Sequence, residues 1–449
     1  MRVIHLPFCF HPDPVGGTEV YVEALCHHLQ DKGVEVVIAS PGKTNQTYIH
    51  NQLQVHRFAL SQFTNIRTIY GEGDELASVE FSHILDREKP DLVHFHAFTP
   101  GVSIRLVQAA KQRQIPVVFT YHTPTVSCQR GTLMQWGSKI CDGKLDLHTC
   151  AKCELQGLGL HRSMAGAIGS LPPQMGKWLG DLNLQGGAWT ALRMTELVSL
   201  RHSALNSLLA EVDHIVAVCN WVRDVLLLNQ VPSAKISVIR QGLCHDDIHN
   251  IVKPENFSEQ PSTQTLKIAF LGRIDPTKGI HILIEALQRI PLLPISLDIY
   301  GVSQGIASDS YQEKLHKTSQ NDPRIQFKPS IPAAQVIATL REYDLLAVPS
   351  QWLETGPMVV MEAFAAGIPV IGSRLGGIAE LVQDGVNGIL VEPTSVEAWA
   401  EKICDLCGDR SQLTHLRSGI SPPQDMQTVA KQMRLIYQAA IAKLSYQNS

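Results

Sequence analysis

The chain has 449 residues, of which 44% are hydrophobic and 18% are charged. This length exceeds what one hydrophobic core organises, so it predicts two or three domains and excludes a peptide or a small disulfide scaffold. Lys and Arg number 38 against 42 Asp and Glu, which gives a net charge of -4. Such a balance does not indicate nucleic acid or an anionic bilayer as a general partner.

The sequence contains no apolar stretch of the roughly 20 residues that a membrane-spanning helix needs, and its N-terminus lacks a secretory signal pattern. We therefore expect a cytoplasmic protein and leave open a peripheral contact with the inner face of the membrane. Ten cysteines are present. In a reducing compartment, clustered cysteines indicate metal ligands or free thiols before disulfides.

Short apolar runs alternate with helical periodicity in the first half of the chain. The first run, Val3–Phe8, precedes a turn-rich loop and a helix with Val22, Leu25 and Leu29 on one face. Further strands are predicted at 34–40, 92–97, 117–121, 214–218 and 235–239, with helices near 101–113 and from about 221. This alternation predicts a parallel sheet covered by helices.

Residues 123–210 interrupt the alternation without a long clean period, and we interpret them as an insertion or an irregular lobe. A polar stretch at 245–264 is the best candidate for a domain boundary. Beyond it, strands are predicted at 268–271, 296–300, 324–327, 345–348 and 370–371. The sequence therefore predicts two doubly wound α/β units, whose ligands bind beyond the carboxyl ends of the strands.

Three nucleotide-binding motifs are absent from the sequence. No G-x-G-x-x-G follows the first strand of either half, which disfavours a nicotinamide dehydrogenase. The Walker pattern is missing, as is an Asp-x-Asp pair of the kind that holds a divalent ion on a nucleotide sugar. We therefore expect a phosphorylated ligand to bind without Mg²⁺.

Two short segments follow first strands and suit an anion. Gly16 and Gly17 stand where a loop enters a helix, a place where backbone amides approach a phosphate, although an ordinary turn also explains the pair. Arg273 and Lys278 follow the first strand of the second half, and Lys278 is expected to open a helix. If both residues bind one diphosphate, their two positive charges would replace a metal ion. Judged on charge alone, Arg273 and Lys278 are a solvated pair of surface residues.

The stretch from Glu354 to Glu362 is the most informative in the sequence. Pro357 suits the first turn of a helix, which leaves Glu354 in the preceding loop and Glu362 inside the helix. One segment thus presents two carboxylates and an anion-binding helix terminus. Carboxylates accept hydrogen bonds from hydroxyls, so a sugar and a ribose flanking a diphosphate would suit this arrangement.

Four cysteines are close together in the insertion, with the spacing C-x12-C-x8-C-x2-C: Cys128, Cys141, Cys150 and Cys153. Four soft ligands suit tetrahedral Zn²⁺, which would brace a lobe without a large core. Free thiols are the alternative, and an iron–sulfur or redox site is a third. The expectation is one structural zinc and no cofactor for catalysis.

Several of these motifs, in their order along the chain, resemble retaining glycosyltransferases of the family 4 type. The segments that carry the resemblance are 16–19, 120–124, 271–279, the Glu354 and Glu362 pair, and 362–371 followed by Gly376-Gly377. The resemblance implies a GT-B architecture, with two Rossmann-like domains facing a central cleft. It implies an acceptor domain at 1–244 that carries the insertion, a nucleotide-sugar domain at 245–430, and a last helix at 431–449 that crosses back.

The resemblance also implies a role for each site residue. Arg273 and Lys278 would hold the diphosphate, Glu362 the ribose and Glu354 the transferred sugar. Gly16-Gly17 would close over the phosphates, and His122 would line the sugar site. Taken without the family, His122 is a packed or capping histidine with no identifiable partner.

The sequence departs from the family pattern near the first glutamate, where Gly356-Pro357 replaces the common Phe-Gly. Because proline donates no amide, the phosphate contacts are expected from Met358 and Val359. The usual Asn-Gly-Val-Asp near the domain junction is Gln-Gly-Leu-Cys at 241–244.

The expected activity is transfer of a hexosyl unit from a nucleoside diphosphate sugar to a hydroxyl, with retention at the anomeric carbon. The acceptor would be a glycan, a lipid-linked molecule or a small molecule. A GT-B sugar-nucleotide epimerase and a non-catalytic sugar-nucleotide sensor with a metal or redox cysteine lobe remain as alternatives. Donor base, sugar and oligomeric state are not assigned by the sequence.

Overall fold

The computed structural model describes residues 1–13, 16–62, 65–136, 139–182, 186–243, 265–302 and 306–447. Contacts divide the chain into two compact units, one of Met1–Arg240 with Met426–Ser449 and one of Gln241–Asp425. The predicted boundary at 245–264 and Cys244 lie outside the described residues. Within the described ranges, no helix combines the length and apolar character that crossing a bilayer requires.

The first unit is built on a mainly parallel sheet. The strands of this sheet are β1 (Arg2–Leu6), β2 (Glu35–Gly42), β3 (Gln46–His50), β4 (Leu53–Ala59), β5 (Leu92–Phe95), β6 (Val117–Tyr121), β9 (His214–Ala217) and β10 (Ile236–Val238). A separate two-stranded hairpin consists of β7 (Met134–Gln135) and β8 (Lys139–Ile140). The sheet order is β10-β9-β6-β5-β1-β2-β4-β3, and β3 runs antiparallel to β4 at the edge.

The second unit contains a parallel sheet with the order β13-β12-β11-β14-β15-β16. Its strands are β11 (Leu266–Arg273), β12 (Ile295–Val302), β13 (Ile325–Lys328), β14 (Leu345–Val348), β15 (Val370–Ser373) and β16 (Gly388–Val391). The last of these has no counterpart among the predicted strands. In both units the strand order reverses direction beside the first strand, as in doubly wound sheets.

Helices connect the strands and cover both faces of each sheet. Numbered along the whole chain, they are α1 (Gly17–Gln30), α2 (Glu75–Glu88), α3 (Ile104–Gln112), α4 (Leu147–Gly157), α5 (Arg162–Ile168), α6 (Pro173–Asp181), α7 (Gly187–Leu192), α8 (Met194–Glu211), α9 (Asn220–Leu228), α10 (Ile280–Arg289), α11 (Ile306–Ser319), α12 (Val336–Leu340), α13 (Met358–Ala366), α14 (Gly376–Leu381), α15 (Val396–Gly408), α16 (Ser411–Ser418) and α17 (Met426–Gln447).

Alternate residues of each strand enter different cores, because successive side chains of a strand point to opposite faces. In β1, Val3 packs in a core with α1 and α17, whereas Ile4 and Leu6 pack in a core with α2, α3, α8 and α9. In β11, Ile268 joins the core of α10 and α15, whereas Ala269 joins that of α12 and α13. The prediction of an α/β fold with two Rossmann-like units is confirmed.

The expectation of an irregular lobe at 123–210 is wrong, because helices α4 to α8 occupy most of its described part. Four of them are only six to eleven residues long, too short for a clear periodicity. The fifth, α8, packs its N-terminal part in a small core of the lobe, through Leu197, and its C-terminal part in the core under the sheet, through Leu208.

Candidate active site

The predicted diphosphate and sugar residues meet at the carboxyl ends of two neighbouring strands of the second unit. Strand β11 ends at Arg273 and strand β14 ends at Val348, and the two strands pair in parallel. The turn that carries Lys278 follows β11, and the loop that carries Glu354 follows β14. Ligands of doubly wound sheets bind at such strand ends.

The turn after β11 is packed tightly against the loop after β14. Lys278 ends a 3-10 turn that precedes α10, so the expectation that it opens the helix itself is corrected. Gly279 has φ +73°, and a Cβ there would lie 1.8 Å from the carbonyl oxygen of Pro349. The amide of Gln351 also donates to the carbonyl oxygen of Thr277 at 2.6 Å. Only glycine allows this approach, which fixes Lys278 beside the second loop.

Lys278 and Glu354 form an ion pair, with 2.5 Å between Lys278 Nζ and Glu354 Oε1. The same oxygen accepts hydrogen bonds from Ser350 Oγ at 2.9 Å and from Trp352 Nε1 at 2.8 Å. The ammonium also lies 5.3 Å from the centroid of the Trp352 ring, within cation–π distance. The sequence reasoning placed both charges near one ligand but missed Ser350 and Trp352, whose donors are visible only in the fold.

Glu354 is held as an anion although its side chain is buried. Burial raises the pKa of a carboxyl group, but the charge of Lys278 and the three hydrogen bonds outweigh it and hold the pKa of Glu354 below its ordinary value. The carboxylate is therefore a fixed negative charge and hydrogen-bond acceptor at neutral pH.

The two glycines of the Gly376-Gly377 motif pack on the backbone of Glu354. The amide of Gly377 donates to the carbonyl oxygen of Glu354 at 2.6 Å, and a Cβ on either glycine would lie 2.8 Å from that oxygen. The pair therefore positions the loop of Glu354.

Helix α13 begins beside this loop and presents its N-terminus. Pro357 is the N-cap residue, one position before the predicted first turn, and no side-chain hydrogen bond caps the helix in the described residues. Met358 and Val359 are the first two helical residues, whose amides have no partner within an α-helix. Their amides are thus oriented to bind an anion.

Glu362 lies five residues into α13 and is partly buried. Burial raises its pKa to about 7, so the carboxyl group titrates near neutrality. Arg273 is exposed at the end of β11 and forms no ion pair with any of the described residues. Lys278 and Glu354, by contrast, already form an ion pair with each other.

His122 lies in the first unit, just after β6, and is buried. Its Nε2 is 3.0 Å from Nδ1 of His96, whose Nε2 is 3.0 Å from Nδ1 of His5. His94 continues the cluster, with its Nδ1 2.7 Å from the hydroxyl of Tyr437 on α17. Burial lowers the pKa of His122 and of His5 to about 3, so these rings are neutral.

The sequence reasoning found His122 but missed the other three histidines. The His-x-His spacing of His94 and His96, at the end of a predicted strand, is the signal that could have shown them, because alternate residues share one face.

Gly16 and Gly17 stand at the start of α1 as predicted, since the helix begins at Gly17. The amide of Gly16 donates to Oε2 of Glu19 at 2.9 Å. A buried carboxylate therefore already contacts this helix terminus, and a phosphate would meet Glu19 there.

The four cysteines of the lobe line one cavity of about 500 Å³. Two of their sulfurs accept backbone hydrogen bonds: Cys153 from Trp136 at 3.3 Å and Cys141 from Gly143 at 3.4 Å. No three of the four sulfurs lie within 4.8 Å of one another, although the structure describes all four residues. A tetrahedral zinc site needs sulfurs roughly 3.8 Å apart, so the structural zinc stays a prediction that requires the cavity to tighten.

Two family models match the chain. Glycosyl transferases group 1 matches residues 252–419, and Glycosyltransferase Family 4 matches residues 15–143. A D-inositol 3-phosphate glycosyltransferase of Corynebacterium glutamicum is 33% identical over 189 residues, which are 40% of this chain and 44% of the relative. The chain thus matches less than half of the length of such relatives.

Solved structures share the fold over nearly the whole chain. HepE from Anabaena has a TM-score of 0.63 at 16% identity, covering 98% of this chain and 100% of that protein. Sucrose-phosphate synthase from Thermosynechococcus elongatus has a TM-score of 0.66 at 18% identity, covering 99% and 100%. Residues 252–419 are thus similar to group 1 glycosyl transferases and residues 15–143 to glycosyltransferase family 4, and the chain has the GT-B fold.

Proposed function

We propose that this protein is a retaining glycosyltransferase that moves a hexosyl unit from a nucleoside diphosphate sugar to a hydroxyl group. One observation carries the proposal: Lys278 and Glu354 are paired at 2.5 Å beside the N-terminus of α13. The arrangement places a cation, an ionised acceptor and free amides at one set of strand ends.

The first part of the proposal concerns the leaving diphosphate. An ammonium has three donors, so Lys278 can keep its bond to Glu354 and still bind a phosphate oxygen. Arg273 adds a second cation, and Met358 and Val359 add amides at a helix terminus. These groups stabilise the negative charge that develops as the sugar leaves, and they need no divalent ion.

The second part concerns the sugar. Glu354, as an ionised carboxylate held by three donors, can accept a hydrogen bond from a sugar hydroxyl and fix the sugar above the diphosphate. We propose that Glu362 holds the ribose in the same way. The ring of His122, in the first unit, is neutral and would take no part in transfer as a charged group.

The third part concerns stereochemistry. Among the described residues, the proposed site supplies cations for the diphosphate, which suits attack on the face that the diphosphate leaves. The phosphate oxygen would then take the proton of the acceptor hydroxyl, and the anomeric configuration would be retained. Acceptors of the proposed class are glycans, lipid-linked molecules or small molecules that carry a free hydroxyl.

Similar proteins support the donor class. The HepE structures of Anabaena hold UDP and glucose, or UDP-glucose. D-inositol 3-phosphate glycosyltransferases of several actinobacteria match the chain over about a third of its length.

The experiment follows nucleoside diphosphate release from a panel of nucleotide sugars, with and without candidate acceptors, and assigns the anomeric configuration of the product by proton NMR. Acceptor-dependent release and a retained configuration are expected, and both should survive EDTA in a short assay. An inverted product contradicts the mechanism. Release of an epimerised sugar without any acceptor identifies the epimerase, and binding without turnover identifies the sensor.

Two glutamate variants test the assignment within the site. Glu362→Ala should weaken binding of the bare nucleoside diphosphate, because it removes the ribose acceptor. Glu354→Ala should spare that binding and damage transfer. Equal and normal binding by both variants contradicts the division of roles.

A further inference from the structure

A second polar cluster lies in the first unit and contains none of the residues assigned above. His11 follows β1, Glu23 lies in α1, and His50 ends the edge strand β3. All three side chains are partly exposed, at 29%, 18% and 27% respectively. One nitrogen from each ring and one carboxylate oxygen lie within 4.8 Å of one another.

The distances within this cluster are those of ligands around a common centre. His11 Nε2 is 3.3 Å from Glu23 Oε2, and His50 Nε2 is 3.3 Å from Glu23 Oε1. Charge-assisted hydrogen bonds between such groups are shorter, at about 2.7–2.9 Å. Ligand atoms at about 2.0–2.2 Å from a tetrahedral zinc ion lie roughly 3.3–3.6 Å apart. Each histidine nitrogen lies at this distance from one of the two carboxylate oxygens, and one atom from each residue lies within 4.8 Å of the others.

The arrangement of the two histidine rings around Glu23 also suits a metal site. In the described part of the chain, neither histidine forms a hydrogen bond with Glu23, although both nitrogens are close to its oxygens. The two rings are stacked, with centroids 4.2 Å apart and an angle of 14° between their planes. Each Nε2 faces one oxygen of the carboxylate, and the Nε2 of His50 also lies 3.2 Å from Nδ2 of Asn51, a contact that a bound ion would replace.

We propose that His11, Glu23 and His50 form a site for one divalent transition-metal ion, of which zinc is the best match. Two imidazoles and one carboxylate are ligands that zinc prefers, and three protein ligands leave a position for water. The site is separate from the proposed transfer chemistry, which uses no metal.

Neighbouring groups support the three ligands. Asn51 Nδ2 donates to Glu23 Oε1 at 2.8 Å, and the hydroxyl of Tyr48 donates to the carbonyl oxygen of His11. His27, one turn after Glu23, lies 4.0 Å from its carboxylate and is the nearest further imidazole. Partners of this kind orient metal ligands. A bound ion would tie the loop before α1 to the sheet edge at β3.

The test is a calorimetric titration of ZnCl₂ into the full-length chain, purified without a histidine tag and stripped of metal. Glu23→Gln keeps the shape of the side chain and should weaken zinc binding by roughly 100-fold or more, as should His50→Ala, because each removes a direct ligand. Asn51→Ala should weaken it by about tenfold. His28→Ala is the matched control: this histidine lies on the same helix, pairs with Asp31, and should leave binding unchanged.

Cobalt distinguishes this site from the cysteine cavity. Co²⁺ bound by nitrogen and oxygen gives visible bands without the intense near-ultraviolet absorption of cobalt–thiolate bonds. The expected result is a visible spectrum that Glu23→Gln removes and His28→Ala preserves. The proposal is overturned if the folded protein takes up no zinc or cobalt here, if the ligand variants bind as tightly as the parent, or if they change only the pH dependence of unfolding.

Discussion

Removal of the ammonium of Lys278 should destabilise the second unit as well as stop transfer. Breaking a buried ion pair costs about 3–5 kcal/mol because one charge stays buried without its partner. The side chains of Lys278 and Glu354 are 19% and 10% exposed, and Ser350 and Trp352 still donate to the carboxylate. We therefore expect the lower end of the range, about 3 kcal/mol for Lys278→Met, or a fall in melting temperature of roughly 6–12 °C for a unit of this size.

A double-mutant cycle with differential scanning calorimetry measures this coupling. Lys278→Met with Glu354→Gln leaves no uncompensated charge, so the double variant should recover most of the loss seen in Lys278→Met. Lys402→Met is the control, since its pair with Asp405 is half-exposed and should contribute less than about 1 kcal/mol. If Lys278→Met melts like Lys402→Met, or if the double variant is no more stable than Lys278→Met, the reasoning is refuted.

Three further predictions concern the other assigned groups. Arg273→Ala should lower turnover roughly 100-fold or more without changing the melting temperature, because the side chain is exposed; near-normal steady-state rates would remove it from the site. Since the carboxyl of Glu362 ionises as the pH rises through its pKa of about 7, nucleotide-sugar binding should strengthen between about pH 6 and 8, by at most tenfold per unit, and Glu362→Gln should lose this dependence in calorimetric titrations. In Glu23→Gln, which lacks a ligand of the site proposed above, elemental analysis should find one zinc per chain. Adding Cys150→Ser should remove this zinc and lower the melting temperature, whereas adding Cys404→Ser should retain it; no zinc in the Glu23→Gln protein would mean that the lobe holds only thiols.

Most of the buried parallel strands could be predicted from the sequence, although β4 (Leu53–Ala59) and β16 (Gly388–Val391) were not. β6 (Val117–Tyr121) and β14 (Leu345–Val348) have the predicted bounds, because a strand covered on both faces is a continuous run of apolar residues. The edge strand β3 (Gln46–His50) was not predicted, since it is polar and partly exposed. Its place is set by pairing with β4, a contact that no local pattern reports.

The candidate site could be predicted as a set of residues and not as an arrangement. Glu354 and Lys278 are 76 positions apart in the chain, so their pairing depends on β11 and β14 lying side by side. Once the strand order is known, the close approach of Gly279 to Pro349 explains why Lys278 lies beside Glu354. The raised pKa of Glu362 results from burial of its side chain, which cannot be read from the sequence.

Helix α17 gives the first unit an unusual order of assembly. This helix supplies Met426, Val429 and Tyr437 to a core that otherwise consists of residues from the first 240 positions. During synthesis from the N-terminus, the ribosome completes the whole of Gln241–Asp425 before it releases these residues. The second unit is contiguous and can fold first, while the part of one face of the first sheet that α1 does not cover stays exposed until α17 emerges. Translation products that stop before Met426 should therefore expose an apolar sheet face and become clients of chaperones.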